Sequence, residues 1–278
     1  MIHRSYLFAP GSSARVLAKV FDAGADVVVL DLEDSVAAPD KATARRAVHD
    51  VLAEHAAIVR INAVGTPEAE RDLDAVADRA LALRVPKVES AADIRWVAER
   101  ATGLPLICAV ESARGLLAAE EIASVRTEGI PLQLSIGGVD LRRDLGTGPG
   151  VTPLTYARSH LVVVSRAYGL DPPIDSVFAH VNNVPGLAEE AGVARDLGFF
   201  GKGAIHPRQL ETIHSAFTPR REELEWAAQV IAAFEDSAGG VARLEDGEMV
   251  DVPVVQRAEA LVRLASHVAG AAGVRRTM

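Results

Sequence analysis

The chain has 278 residues, of which 49% are hydrophobic and only 4% aromatic, so a large core must be built from Ala, Val, Leu and Ile rather than from rings. Acidic residues outnumber basic ones 38 to 29, giving a net charge of -9, which argues against the basic surface that nucleic-acid binding requires. The single cysteine, Cys108, excludes an internal disulfide and a cysteine-rich zinc site. No segment reaches the roughly 18 uninterrupted apolar residues of a membrane helix, and no apolar signal core follows Met1-Ile2-His3-Arg4-Ser5. A soluble cytoplasmic protein is expected.

Short apolar runs alternate with longer amphipathic ones. Tyr6 to Phe8 reads as a strand, followed by a Pro10-Gly11 turn and a helix from Ser12 or Ser13 to Phe21. Ala25 to Leu32 is a strand that ends in acids, and Lys41 to Glu54 a helix. Ile58 to Ile61 is a strand, Glu68 to Ala80 a helix, Leu81 to Val85 a strand and Ala91 to Ala101 a helix. Leu106 to Val110 is a strand ending at Glu111, and Gln133 to Ile136 a strand ending at Gly137-Gly138. Thr155 to Tyr168 is helical, Asp175 to Phe178 a strand, and Gly186 to Leu197 a helix. Gly203 to Ile205 is the eighth strand, with Arg221 to Phe234 helical. Beyond Gly239-Gly240 come a strand pair around Asp246-Gly247, from Val241 to Leu244 and from Glu248 to Val252, and a helix from Pro253 to Val268. The tail from Gly270 reads as frayed.

Strand–helix alternation implies parallel strands with helices outside. Eight repeats suit a closed (β/α)8 TIM barrel better than an open sheet. The expected fold is therefore α/β, with the barrel at 1–220 and a C-terminal helical and hairpin extension at 221–278. That extension is expected to pack on the barrel or on a neighbouring subunit. Gly146-Thr147-Gly148-Pro149-Gly150 matches no nucleotide-binding pattern, and Pro149 lacks an N–H, so it reads as a flexible loop.

In such a barrel the carboxyl ends of the strands form the functional face. Arg4, Asp31, Glu33, Asp34, Arg60, Lys87, Glu89, Glu111, Asp140 and His206 all read as lying at or just after strand ends. One charge after a strand is usually a solvated loop residue; ten of them converging on one mouth are hard to assign to stability. Glu111 and Asp140, from neighbouring strands, suit a magnesium ion with water completing its shell. Asp140 could instead cap the helix ahead of Leu141. Gly138 would let the backbone approach the ion or substrate. Arg60 has the planar fork that suits a carboxylate and a developing enolate charge; the alternative is an ion pair with one of the adjacent acids, and the two are compatible. Glu33 and Asp34, crowded beside Asp31, read as acids that orient Arg60 and water around a metal. His49, His55, His214 and His267 read as surface residues, and no histidine pair suggests zinc. Cys108 reads as buried and inert.

Several of these segments resemble one family. Arg4-Ser5-Tyr6-Leu7-Phe8-Ala9-Pro10-Gly11, Leu30-Asp31-Leu32-Glu33-Asp34-Ser35-Val36 and Val59-Arg60-Ile61-Asn62 open the series. Pro86-Lys87-Val88-Glu89, Glu111-Ser112-Ala113-Arg114-Gly115 and Gly137-Gly138-Val139-Asp140-Leu141 follow in order. Ile205-His206-Pro207-Arg208-Gln209 and Gly247-Glu248-Met249-Val250-Asp251 complete it. Together they resemble the HpcH/HpaI aldolase and citrate lyase beta-subunit-like family, from about residue 3 to residue 268.

The resemblance implies a cytoplasmic Mg2+-dependent carbon–carbon lyase of citrate lyase beta-like type. Its substrate would be a 3-hydroxyacyl thioester of citryl, malyl or citramalyl type, carried on coenzyme A or an acyl-carrier protein. The products would be an acetyl thioester and a 2-oxo acid. It also implies a homotrimer or hexamer. Glu111 and Asp140 would bind the metal, and Arg60 the acid and the enolate. Asp251 would be an acid/base group reaching a neighbouring subunit's site, and Lys19 and the Arg4 region would touch coenzyme A phosphates. From sequence alone, Asp251 reads as an ordinary surface residue. Rival readings are a malyl-CoA thioesterase or synthase on the same site, a pyruvate-type aldolase, and a non-catalytic acyl-CoA-binding subunit.

Overall fold

The β-branched and leucine-rich runs form seven strands: β1 (Ser5–Pro10), β2 (Val27–Asp31), β3 (Ile58–Arg60), β4 (Ala82–Val85), β5 (Leu106–Val110), β6 (Leu132–Ile136) and β7 (Lys202–Ala204). The structure, a computed structural model, describes residues 2–125, 130–237 and 240–274. The chain divides into two compact units, residues 1–217 and 218–278. All seven strands lie in the first unit and pair in parallel, in the order β6-β5-β4-β3-β2-β1-β7. The connecting helices are α1 (Ala14–Val20), α2 (Lys41–Val51), α3 (Pro67–Val76), α4 (Ala91–Arg100), α5 (Ala113–Leu117) and α6 (Ala119–Ala123). They continue with α7 (Gly138–Leu145), α8 (Thr155–Ala167), α9 (Val184–Leu197) and α10 (Leu210–Phe217). The strands carry almost no exposed position, as a parallel sheet covered by helices requires. Tyr6, Val27, Val29, Ile58, Ala82, Ile107 and Ile174 form one buried apolar cluster, with Phe8 packed against it.

The expected strand from Asp175 to Phe178 is not formed. Only Ile174 and Asp175 bridge, the first to Ser135 of β6 and the second to Lys202 of β7. Ile174 N donates to Leu134 O at 3.0 Å and its carbonyl accepts from Ile136 N at 3.0 Å. Asp175 N donates to Gly201 O at 2.9 Å and its carbonyl accepts from Gly203 N at 3.0 Å. These bonds join the sheet's two edges, so the seventh barrel position is filled by two residues. Pro172 and Pro173, with no N–H to donate, prevent an earlier start to this ladder.

The closure is also electrostatic. Lys202 Nζ lies 2.5 Å from Asp175 Oδ2 and 2.6 Å from Glu190 Oε1. Arg158 Nε donates to Asp175 at 3.0 Å. The side chains of Lys202 and Arg158 are 0% and 1% exposed. Burial opposes ionisation of Asp175, but Lys202 and Arg158 outweigh it and hold the carboxyl below its usual range. None of these four residues stood out in the sequence.

The second unit pairs α11 (Arg221–Asp236) with α12 (Val252–Val274) and adds a hairpin of β8 (Ala242–Arg243) and β9 (Met249–Val250). Its core holds Ala227, Val230, Val250, Val255 and Ala258. Gly247 turns the hairpin at φ 94°, a backbone state that glycine adopts at little cost. The last helix outruns the expected end at Val268. Gly239 of the expected break and residues 275–278 lie outside the described residues. Among the described residues no helix is long and apolar enough to cross a membrane.

Lys202→Met removes the nearer cation shared by Asp175 and Glu190 and leaves two carboxylates with Arg158 alone. Urea unfolding should show a loss of about 3–5 kcal/mol; a change below about 1 kcal/mol would place the closure in the backbone bonds alone.

Candidate active site

Strand register decides what meets at the carboxyl mouth. Asp31 pairs with Arg60 and Arg60 with Arg84 across β2, β3 and β4, so three charged side chains stand side by side. They line a cavity of about 300 Å³ together with Tyr6, Phe8, Ser35, Glu111, Gly137, Asp140, Asp175 and Ser176. The apolar cluster below it forms the barrel's plug.

Arg60 is held on two edges. Its Nε and Nη2 each donate to Asp31 at 2.7 Å. Its Nη1 lies 2.8 Å from Glu33 Oε2, a charge contact without hydrogen-bond alignment. Asp31 also accepts from Glu33 N at 2.9 Å and from the Ser35 hydroxyl. Burial opposes its ionisation, but Arg60 keeps the carboxyl below its ordinary value. Burial raises Glu33 despite the pull of Arg60 and Lys87. Lys87 contacts Glu33 and sits 3.2 Å from Asp34. It is the one non-glycine residue at positive φ among the described residues, at 50°. This is a strained backbone in a loop that meets the site. Asp34 is exposed and reaches the network only through Lys87.

Glu111 stands differently. Its side chain is buried at the end of β5, and Oε2 has no hydrogen-bond partner. A Cβ on Gly137 would fall 2.3 Å from Glu111 Cγ, so only glycine leaves room for this carboxylate. Burial pushes its pKa up to about 7 against the pull of Arg84, with Glu33 and Asp140 adding to the rise. Asp140 lies inside α7, not at its cap, which is Gly137, and pairs with Arg143 at 2.9 Å. An orphaned buried carboxylate beside a second carboxylate is a hard-oxygen donor set that fits a magnesium ion with water filling the remaining positions. No cluster of three or more His, Cys, Asp or Glu ligands occurs among the described residues.

Several expected site residues lie elsewhere. Arg4 precedes β1, so it stands at the amino mouth of the barrel, where its guanidinium bonds both oxygens of Asp26 at 2.9 and 2.8 Å. The R-S pattern opens the strand rather than closing it, which is why strand-end position misplaced this residue. Lys19 is exposed at the far end of α1, which runs away from the carboxyl mouth. Gly138 is buried and donates to Ser176 Oγ at 2.9 Å; Gly137, not Gly138, lines the cavity. Asp251 belongs to the second unit, where its carboxylate accepts from Val254 N at 3.2 Å at the start of α12. His214, expected at the surface, is partly buried with Nε2 2.8 Å from Ser5 Oγ. Cys108 is buried, as expected, and burial pushes its thiol well above the usual range. Sequence reading missed Arg84, whose signal was a lone charge inside the apolar run Ala82-Leu83-Arg84-Val85.

A closed parallel barrel with carboxylates and arginines at its carboxyl mouth defines a (β/α)8 protein whose cavity presents charges of both signs. Two family models match the chain: HpcH/HpaI aldolase/citrate lyase over residues 4–207, and C-C bond lyase of the TIM-barrel fold over residues 151–268. The chain belongs to the HpcH/HpaI aldolase/citrate lyase family. It is 37% identical over 279 residues to citrate lyase subunit beta of Escherichia coli K12, covering 92% of this chain and 90% of that protein. It is also 37% identical over 260 residues to a (3S)-malyl-CoA thioesterase of Cereibacter sphaeroides, covering 89% of each. Among solved structures, protein CitE of Mycobacterium tuberculosis in complex with magnesium, acetoacetate and coenzyme A is 35% identical with a TM-score of 0.81, covering 95% of this chain and 98% of that one. Citrate lyase beta subunit from M. tuberculosis with oxaloacetate and magnesium is 33% identical with a TM-score of 0.68, covering 78% and 98%.

The raised pKa of Glu111 sets a sign for stability. Between the unfolded value of about 4.5 and the folded value of about 7, the folded state holds the extra proton, so stability falls as pH rises through that window. In metal-free protein, wild type should lose about 3 kcal/mol from pH 4.5 to 7.5 relative to Glu111→Gln, by urea unfolding. Parallel curves for the two proteins would show that Glu111 titrates normally.

Proposed function

We propose that this chain is a magnesium-dependent carbon–carbon lyase. It cleaves a 3-hydroxyacyl thioester of citryl, malyl or citramalyl type, on coenzyme A or an acyl-carrier protein, to an acetyl thioester and a 2-oxo acid. The observation that carries this reading is the buried, unpartnered Glu111 carboxylate sharing one cavity with Asp140 and Arg60. Relatives solved with magnesium, coenzyme A and small oxo acids support it.

Glu111 and Asp140 would hold the ion, which when bound supplies positive charge that polarises the acid's oxygens. In the reaction the C3 hydroxyl would give its proton to a base and become the carbonyl of the 2-oxo acid as the C2–C3 bond breaks, the electrons of that bond passing to the thioester enolate, and C2 would then take a proton. Arg60 has five N–H donors, and its contacts with Asp31 and Glu33 leave some of them for the enolate oxygen. Asp31 and Glu33 hold its plane still, so its charge is in place before the enolate forms; a preorganised donor of this kind is worth about 3–4 kcal/mol. Asp251, which caps α12 in the second unit, would deliver the C2 proton to the site of a neighbouring subunit in a homotrimer or hexamer. A second reading, hydrolysis of a malyl thioester, is favoured by the likeness to the malyl-CoA thioesterase.

A mass-spectrometric screen of citryl-, malyl- and citramalyl-CoA, with and without magnesium, separates the two. A lyase yields acetyl-CoA and a 2-oxo acid; a thioesterase yields free coenzyme A and the hydroxy acid. Glu111→Gln with Asp140→Asn should abolish magnesium-dependent turnover with the circular dichroism unchanged. Full activity of that double variant in chelator would sink the reading.

Arg60→Lys keeps the charge but loses the fork, and kcat/KM should fall at least tenfold, about 1.4 kcal/mol. Asp251→Asn should keep substrate binding but lose proton exchange at C2 of acetyl-CoA. Mixing the two variant chains, with subunit exchange confirmed, should restore part of the activity through composite sites. No gain over either parent would rule out a shared site.

A further inference from the structure

Among the charged groups around the cavity, most are matched. Arg60 faces Asp31 and Glu33, Lys87 faces Glu33 and Asp34, and Asp140 faces Arg143. Lys202 and Arg158 share Asp175 and Glu190. Two charged groups are left over, Glu111 and Arg84.

Arg84 is 8% exposed, lines the cavity, and has a buried Nε with no partner. Among the described residues no carboxylate forms an ion pair with it. Its guanidinium lies 5.5 Å from the centre of the Phe8 ring, which Arg60 also overlies at 5.3 Å. A ring can favour two cations, but it cannot neutralise them. Glu111 is the opposite charge that Arg84 feels most, and that carboxylate is the one assigned to the metal. With magnesium on Glu111, the guanidinium has no counter-charge of its own. A buried charge in that condition is destabilising, unless a ligand brings the missing anion.

We infer that Arg84 is a specificity-determining residue that receives a second carboxylate, so that the site prefers four-carbon dicarboxylic hydroxy or oxo acids over their monocarboxylic counterparts. The inference rests on the proposed function, because it assumes that the acid's hydroxy-acid end goes to the magnesium side of the cavity, and of the three thioesters it favours the citryl type, which alone keeps a second free carboxylate. Strand register supports the geometry. Arg84 is the neighbour of Arg60 on the adjacent strand, in register with Ile107 and one layer above Ala82 of the apolar plug. The free end of an acid that reaches down between Arg60 and Glu111 meets this guanidinium as its unpaired cation. A site built to pair a substrate's polar group rejects the analogue that lacks it more strongly than an apolar pocket rejects a missing methylene, because the buried partner is left unpaired.

Isothermal titration of the full chain with (S)-malate and with (S)-lactate, in excess magnesium chloride, tests this, since the two acids differ by one carboxylate. Wild type should bind malate at least tenfold more tightly. Arg84→Met should lose that tenfold preference with lactate affinity changed less than twofold, and Arg84→Lys should retain part of it. Equal affinities in wild type would overturn the inference, and that comparison needs no variant to fold. It would also be overturned if Arg84→Met weakened both acids in parallel. A matching loss in magnesium affinity, titrated alone, would then identify Arg84 as the counter-charge of Glu111. If malate is preferred through Arg84 but no acyl thioester is turned over, the lyase reading fails while this selectivity stands.

Discussion

A parallel sheet of seven strands has two open edges, and here both are satisfied by two residues. Ile174 completes the ladder of β6 and Asp175 that of β7. Without this closure the Asp31–Arg60–Arg84 row would line an open face rather than a cavity, and the cluster that includes Tyr6 and Ile174 would not be enclosed. The side chain of Asp175 faces two buried cations while its backbone closes the ring. One residue therefore couples the fold's topology to its most deeply buried charges. Such a cluster is costly to break rather than strongly stabilising in itself, so it acts as a constraint on what may occupy those positions.

The same logic governs the cavity. Asp31 and Glu33 fix Arg60 from two sides, and Lys87 holds Glu33 from a strained backbone position. Every contact in this network reduces the freedom of a group that must be in place before a ligand arrives, which is how preorganised sites lower the cost of reorganisation. Gly137 contributes by omission, because any side chain there would displace the Glu111 carboxylate. The fully matched side of the cavity and the unmatched pair Glu111 and Arg84 divide it into a rigid support and a part with charge to offer.

Relatives at similar identity bear the names of a citrate lyase subunit and a malyl-CoA thioesterase. Names for two different reactions thus occur among relatives of equal identity to this chain. The scaffold therefore does not choose the reaction; a few cavity side chains and the access of water do.

The alternation of strands and helices, the barrel class, and the charges at the ends of β2, β3, β5 and β6 are readable along the chain, because period and strand-end position are local properties. Glu33, Arg60, Glu111 and Asp140 are legible for that reason. The rest depends on contacts between distant segments. The seventh strand shrank to two residues because its neighbours' edges, not its own propensity, set its length. Arg4 moved to the opposite mouth because being next to a strand does not say which end of the barrel a residue occupies. Arg84 looked like a stray charge in an apolar strand, and Lys202 lay just before an expected one; parity turned Arg84 into the cavity and Lys202 to the helix-covered face of the sheet, onto Asp175 and Glu190. Whether a buried charge is matched depends on partners tens of residues away in the chain, and only the closed barrel brings them together.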